Sequence, residues 1–395
     1  MLNGLISLPW WGYILVLLGV THITIASVTI YLHRYQAHHA LELHPLISHF
    51  FRFWLWLTTA MGTKEWVAVH RKHHAKVETE DDPHSPVIHG INKVLWDGVE
   101  LYRSETKKQE TLDRYGHETP EDWIERNLYS KFTFLGIACL FFINFSLFGV
   151  LGISIWAIQM IWIPFFAAGV INGVGHWYGY RNFESADAST NIIPVGILIG
   201  GEELHNNHHA FASSARFSNK RWEFDLGWQY IRMLSALGMA KVKKLAPTPQ
   251  FNNDNPMIDY DTVSAVISNR WHVMSDYAHE VIGDVYKDEM RKANVAGKKI
   301  MRRGKKLMSR ADSLLDSNAR QRLESVLAES ETLKEVYEFK QRLQDIWQEK
   351  TATRESLVHN LQEWCYQAEA TGIEALEEFS RNIRAYTLQP IPVRI

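Results

Sequence analysis

The chain has 395 residues, 46% of them hydrophobic, with 15 Trp, 15 Tyr and a formal charge of −2. So balanced a charge excludes the overall basic field of a nucleic-acid binder, and no nucleic-acid motif appears. Two cysteines, Cys139 in an apolar run and Cys365 in a polar helix, exclude a thiolate metal cage or a disulfide framework.

Mean hydropathy is negative, so the apolar residues are concentrated, and they lie before about residue 235. The N-terminal residues 2–9 are short and uncharged, which predicts no cleavable signal peptide. Residues 10–32 carry one ionisable side chain, His22. At about 1.5 Å per residue they are long enough to cross a hydrocarbon core of roughly 30 Å. Trp10, Trp11, Tyr13 and Tyr31 are placed as interfacial aromatics of this first span. Residues 46–62 are apolar but contain His49 and Arg52. If they crossed, His33 and His70 would stand on opposite membrane faces, about 30 Å apart. The segment is therefore read as an in-plane or re-entrant helix. Residues 132–150 and 151–175, with Gly149 and Gly152 between them, read as a helical hairpin crossing out and back.

The Lys/Arg content of 64–131 and of the region after 175 places both on the cytoplasmic side. The fold class expected is an all-α integral membrane protein with about three transmembrane helices and in-plane amphipathic helices. A cytoplasmic helical region holding a polyhistidine di-metal centre caps them. Residues 1–247 form this core and 248–260 a Pro/Asn/Asp-rich linker. Residues 261–395 form a charged helical extension, with Leu314, Leu315, Leu323, Val326 and Leu327 at three-and-four spacing. Its basic stretch, from Lys287, Arg291 and Lys292 through Lys298, Lys299, Arg302, Arg303, Lys305, Lys306 and Arg310, fits anionic lipid, an acidic partner or a solvated helix face.

The most informative residues are eight of the 19 histidines, grouped as His33 and His38, then His70, His73 and His74, then His205, His208 and His209. Neutral imidazole is the commonest metal ligand, and two repeats of His-x-x-His-His point to a metal centre. At i, i+3 and i+4 the members of each triplet share one helix face. Adjacent histidines differ by about 100° around the axis and so can serve different metals. His33 and His38, five apart, do not stack on an α-helix, so the helix should end or distort there. His176, in Asn172-Gly-Val-Gly-His176, is a ninth candidate, and His39 an alternative to His38. His22, His44, His49, His84, His89 and His117 lack cluster spacing and read as structural or solvent-facing. Asp81, Asp82, Glu202 and Glu203 lie near the clusters and are candidates to orient ligating imidazoles.

The pattern HRYQAH, HRKHH and HNNHH, with NGVGHWYGYRNF between the last two, resembles the membrane fatty acid desaturases of the stearoyl-CoA desaturase type over residues 12–247. The resemblance implies a di-iron centre that uses O2 and two electrons to make a cis double bond, typically at the delta-9 position, in a long-chain acyl-CoA or acyl-lipid. It implies as ligands His33, His38, His70, His73, His74, His176, His205, His208 and His209, with Asn172 acting through water and Trp66 lining the acyl tunnel. The chain departs from the animal enzymes in lacking their first span and in its C-terminal extension. No cytochrome b5 segment or dinucleotide fingerprint is present, so electrons are expected from a separate reductase, ferredoxin or cytochrome. Two other readings remain at this point. One is a membrane di-iron hydroxylase of alkanes or lipids, disfavoured by the five-residue interval between His33 and His38. The other is a metal transporter, disfavoured because the clusters lie outside the hydrocarbon.

Overall fold

The computed structural model describes residues 4–252, 257–348 and 353–388; part of the expected linker, 253–256, lies outside them. The chain divides into two compact units, Met1–Arg181 with Asp187–Ala246, and Asn182–Ala186 with Pro247–Ile395.

In the first unit an α-helix over Trp10–Ala26 continues as a π-helix over Ser27–Ala37. A second long helix joins α-helical Val150–Ile163 to π-helical Pro164–Val174. There Pro164 has no N–H to give to the preceding turn, and the ladder re-forms in the wider register. These two helices are long and apolar enough to cross a membrane by length and composition. Thr133–Phe148 is equally apolar but has 16 residues, about 24 Å of helix against a core of roughly 30 Å. The second of the three expected spans, 132–150, therefore falls short on length. The bend after it is at Gly149, whose φ of 61° suits glycine.

Trp10 and Trp11 are exposed, as interfacial aromatics would be, but Tyr31 is fully buried. Its assignment to an interface is corrected: the wide register turns it into the protein. The helix Pro45–Thr59 begins at a proline capped by His44 and ends at Ala60 in left-handed conformation. Its one charged side chain, Arg52, is buried and grips Asp122 through two hydrogen bonds of 2.6 and 2.9 Å.

Helix Ile91–Thr106 packs against Pro164–Val174 backbone to backbone. A Cβ at Gly98 would sit 2.6 Å from the Ala168 carbonyl oxygen, and one at Gly169 2.5 Å from that of Leu95. Only glycine permits this approach. The C-terminal part of the unit is pinned by Leu41–Leu43 pairing antiparallel with Ala240–Val242. It is pinned again by Arg34, fully buried, bonded to Asp225 at 3.0 Å and lying 3.9 Å from the Phe217 ring centre. Four segments thereby converge: Ser27–Ala37, Thr63–Lys76, the end of Pro164–Val174, and His205–Ala210.

The second unit is helical from Tyr260–Ser268 to Glu374–Ala385 around a core that includes Tyr277, Leu333, Val336, Leu343, Trp364 and Phe379. Of the predicted apolar stripe, Leu315, Leu323 and Val326 are buried there and Leu327 packs against them. Asn182–Ala186 belongs to this unit, with Phe183 buried at 5.1 Å from the His272 ring. In the basic stretch Lys287, Arg291 and Lys292 are neutralised one turn back, by Asp284, Asp288 and Glu289. That part of the stretch is a solvated, self-paired helix face. Burial pushes the Cys365 thiol up to about 11, which leaves it an inert core residue.

Candidate metal centre

The π-helix answers the spacing problem of His33 and His38. The N–H of His38 donates to the carbonyl of His33 at 3.1 Å, an i to i+5 bond. In that wider turn residues five apart return to nearly one side, and the two rings approach to 5.0 Å. On an α-helix they would point about 140° apart. Helix Thr63–Lys76 supplies His70, His73 and His74, and helix His205–Ala210 supplies His205, His208 and His209. His176 follows the second π-helix, its N–H bonded to the Gly173 carbonyl at 3.2 Å.

The nine histidines fall into two sets. His33, His38, His70, His74 and His208 form one, and His73, His176, His205 and His209 the other, with the ligand atoms of each set within 4.8 Å of one another. Adjacent residues separate between the sets: His73 from His74, and His208 from His209. Within the sets Nε2 atoms face each other at hydrogen-bond distance, His33 to His208 at 3.0 Å, His38 to His70 at 2.8 Å and His205 to His176 at 3.0 Å.

Carboxylates hold the opposite ring nitrogens. The Nδ1 of His33 meets Glu202 at 2.7 Å, that of His73 meets Asp82 at 2.9 Å, that of His176 meets Glu78 at 3.2 Å and that of His209 meets Asp187 at 3.1 Å. An Nδ1–H donated to a carboxylate leaves the Nε2 as a lone pair. The rings opposite His33 and His176, those of His208 and His205, have no partner at Nδ1 among the described residues, so each of these pairs is held either by an Nε2–H hydrogen bond or by a cation between the two nitrogens. The Nε2 atoms of His73 and His209 are likewise buried without a hydrogen-bond partner. This donor set, nitrogen throughout with carboxylates behind it, fits a bound transition metal.

The electrostatics agree. Burial pushes the imidazoles of His70, His74, His205 and His208 well below their ordinary value, that of His38 to about 3 and that of His209 to about 4. The rings are therefore neutral and ready to ligate. Burial alone would raise the Asp187 carboxyl, but the neighbouring His209 reverses this and holds it well below the usual range.

A cavity of about 550 Å³ runs beside the centre, lined by Trp66, His70, Tyr102, Trp156, Ile171 and Asn172 among others. Its size lies within the roughly 300–1,000 Å³ of small-molecule sites. Trp66 stacks on His70 with ring centres 4.9 Å apart, and Asn172 lines the wall. His39 turns away to Arg71 at 2.9 Å and Glu118 at 3.2 Å. Of the four carboxylates suggested by proximity, Asp82 and Glu202 reach ligands. Asp81 pairs with Lys76 at 3.2 Å, and Glu203 accepts from the Ile199 and Gly201 N–H groups.

Sequence reasoning missed Glu78, Asp187 and His84. Glu78 lies one turn beyond His74 with an uncommon φ of 60°, a strain of the kind stored at functional sites; its spacing was a usable signal. Asp187 is far from His209 in sequence and gave none. His84, read as structural or solvent-facing, is buried, stacks on His73 at 4.4 Å and lines the cavity.

A family model for fatty acid desaturases matches residues 8–237, and one described as a transposase matches residues 262–389. Among curated relatives, the sn-1 stearoyl-lipid 9-desaturase of Anabaena variabilis is 32% identical over 57% of this chain and 80% of its own length. The delta-9 acyl-lipid desaturase 1 of Arabidopsis thaliana is 29% identical over 61% of this chain and 78% of its own. The acyl-CoA 5-desaturase AL21 of Anemone leveillei is 33% identical over 54% and 66%. The transposase match falls wholly in the second unit, where no metal-capable histidine or carboxylate group occurs among the described residues.

Proposed function

Since the chain belongs to the fatty acid desaturase family, and is an oxidoreductase acting on fatty acyl chains, we propose that it works as a multi-span membrane enzyme with two irons. The five-histidine set would hold one and the four-histidine set, completed by Asn172 through water, the other. The observation that carries this reading is the split of nine imidazoles into two sets beside one cavity. Bound iron supplies the oxidising chemistry: O2, two electrons and two protons become two waters as adjacent methylenes lose two hydrogens.

The chain's own residues set the conditions for that reaction. Glu202, Asp82, Glu78 and Asp187 keep the imidazoles oriented and in the tautomer that leaves Nε2 free. Trp66 and Ile171 form apolar wall that excludes water from the acyl chain. The proposed substrate is a long-chain acyl-CoA or acyl-lipid desaturated at the delta-9 position, in line with the names of the Anabaena and Arabidopsis relatives. The core would be multi-pass with the centre on the cytoplasmic side, and electrons would come from an external reductase, ferredoxin or cytochrome.

Gas chromatography of cellular fatty acids after expression tests the reading. New delta-9 monoenes are expected from the wild type and none from His208→Ala or His73→Ala variants that remain in the membrane fraction. Hydroxylated products instead of monoenes, or full activity in either variant, would overturn it. Purified enzyme given stearoyl-CoA and stearoyl-phospholipid in parallel identifies the acyl carrier.

A further inference from the structure

Among the described residues, His84 is the one imidazole grouped with a centre histidine that belongs to neither the five-histidine nor the four-histidine set. It follows the turn Asp82-Pro83, between the helix carrying His70, His73 and His74 and the helix Ile91–Thr106. Its backbone N–H donates to Asp82 Oδ1 at 3.1 Å, the same oxygen that receives the Nδ1–H of His73 at 2.9 Å. One carboxylate oxygen therefore fixes both residues. The His84 ring lies nearly parallel to that of His73, with an interplanar angle of 29°. Asp82, His73 and His84 present nitrogen and oxygen atoms within 4.8 Å of one another.

The side chain of His84 is an anomaly on its own terms. The residue is 5% exposed, and its Nε2 is buried with no hydrogen-bond partner. A polar nitrogen left so is costly unless something outside the protein completes it. The residue lines the cavity that also reaches His33, His70, His205 and Asn172. An acyl chain presents only methylenes at the reacting pair. For desaturation nine carbons in, the acyl carbonyl stands about eight bonds further along and out of reach. The partner must be small, polar and at the centre itself.

We propose that His84 is a further ligand-binding residue. With its single proton on Nε2, it donates a hydrogen bond to the exchangeable, non-protein ligand, water or a small anion, of the metal held by His73, His176, His205 and His209. The proposal rests on the metal-centre reading above. It gives the four-histidine set a polar wall on the cavity side, whereas the stacked ring holds His73 from the flank.

Azide binding to the oxidised, iron-loaded full-length protein tests this, read from the visible charge-transfer band and set beside iron content by elemental analysis. His84→Leu should keep the wild-type iron content and bind azide about 10- to 100-fold more weakly, the loss expected for one hydrogen bond to a charged ligand. His84→Gln, which keeps a donor, should recover part of the affinity. Unchanged azide affinity in His84→Leu overturns the proposal. So does loss of iron from both variants, which would make His84 only a support for His73. Wild-type protein that binds iron and azide yet makes no monoenes would instead sink the desaturase reading and leave the role of His84 intact.

Discussion

Replacing Asp187 with alanine separates the two halves of the metal centre. Asp187 Oδ2 accepts from His209 Nδ1 at 3.1 Å. Without the carboxylate, a side chain that is 1% exposed keeps an N–H with no acceptor, and the ring is free to turn or change tautomer. Loss of such an outer acceptor costs about 10- to 100-fold in metal affinity, or about 1.4 to 2.8 kcal/mol at 1.4 kcal/mol per decade. The five-histidine set has its own acceptor in Glu202 and should be unaffected. Chelator titration of iron-loaded protein, followed by elemental analysis, should show half of the metal leaving at about 10- to 100-fold lower chelator strength while the other half stays. Asp187→Asn, which keeps an acceptor oxygen, should fall between. If both metals leave together, or neither moves, the carboxylate does not act through His209 and the reasoning fails.

Arg34→Met should leave Asp225 buried and unpaired, lowering stability by about 3–5 kcal/mol; thermal unfolding in detergent measures it, and a shift under 1 kcal/mol would contradict the buried pair. Gly98→Val should force apart the backbones of Ile91–Thr106 and Pro164–Val174, with a loss of about 1–3 kcal/mol from overpacking and reduced iron retention on the same protein. For the metal-free protein, burial holds His38 and His209 down to about 3 and about 4 when folded, against 6.5 for a free imidazole. As pH falls below about 6.5 the unfolded chain takes up protons that the folded chain refuses, so stability present above 6.5 is lost progressively toward pH 4. Urea midpoints of chelator-stripped protein should decline over that window, and a flat profile would argue against neutral buried rings.

Much of the centre was written in local spacing. Two His-x-x-His-His repeats on helices fix which rings share a face, because the rotation per residue is a property of the helix and needs no tertiary contact. The same rotation implies that His73 and His74 diverge, and they occupy different sets. The first box was legible only as a problem: five residues do not stack on an α-helix, but nothing local says whether the helix stops or widens. It widens into an i to i+5 turn, within which Arg34 pairs with Asp225, a partner 191 residues away. The same turn buries Tyr31, which composition alone had placed at a membrane interface.

By itself the sequence pointed to imidazole as the ligand type and to the helices that carry most of the clusters, since these follow from residue chemistry and helical period, whereas the count of nine was implied by the family resemblance. Only the tertiary structure decided which carboxylate stands behind which ring. It joined His209 to Asp187, His176 to Glu78 and His33 to Glu202 across separations of 22, 98 and 169 residues. It also moved His84 from a bystander to the wall of the cavity. Acceptors for Nδ1 are chosen by distance in space, and a single acidic residue in a loop carries no periodic signal to reveal that choice.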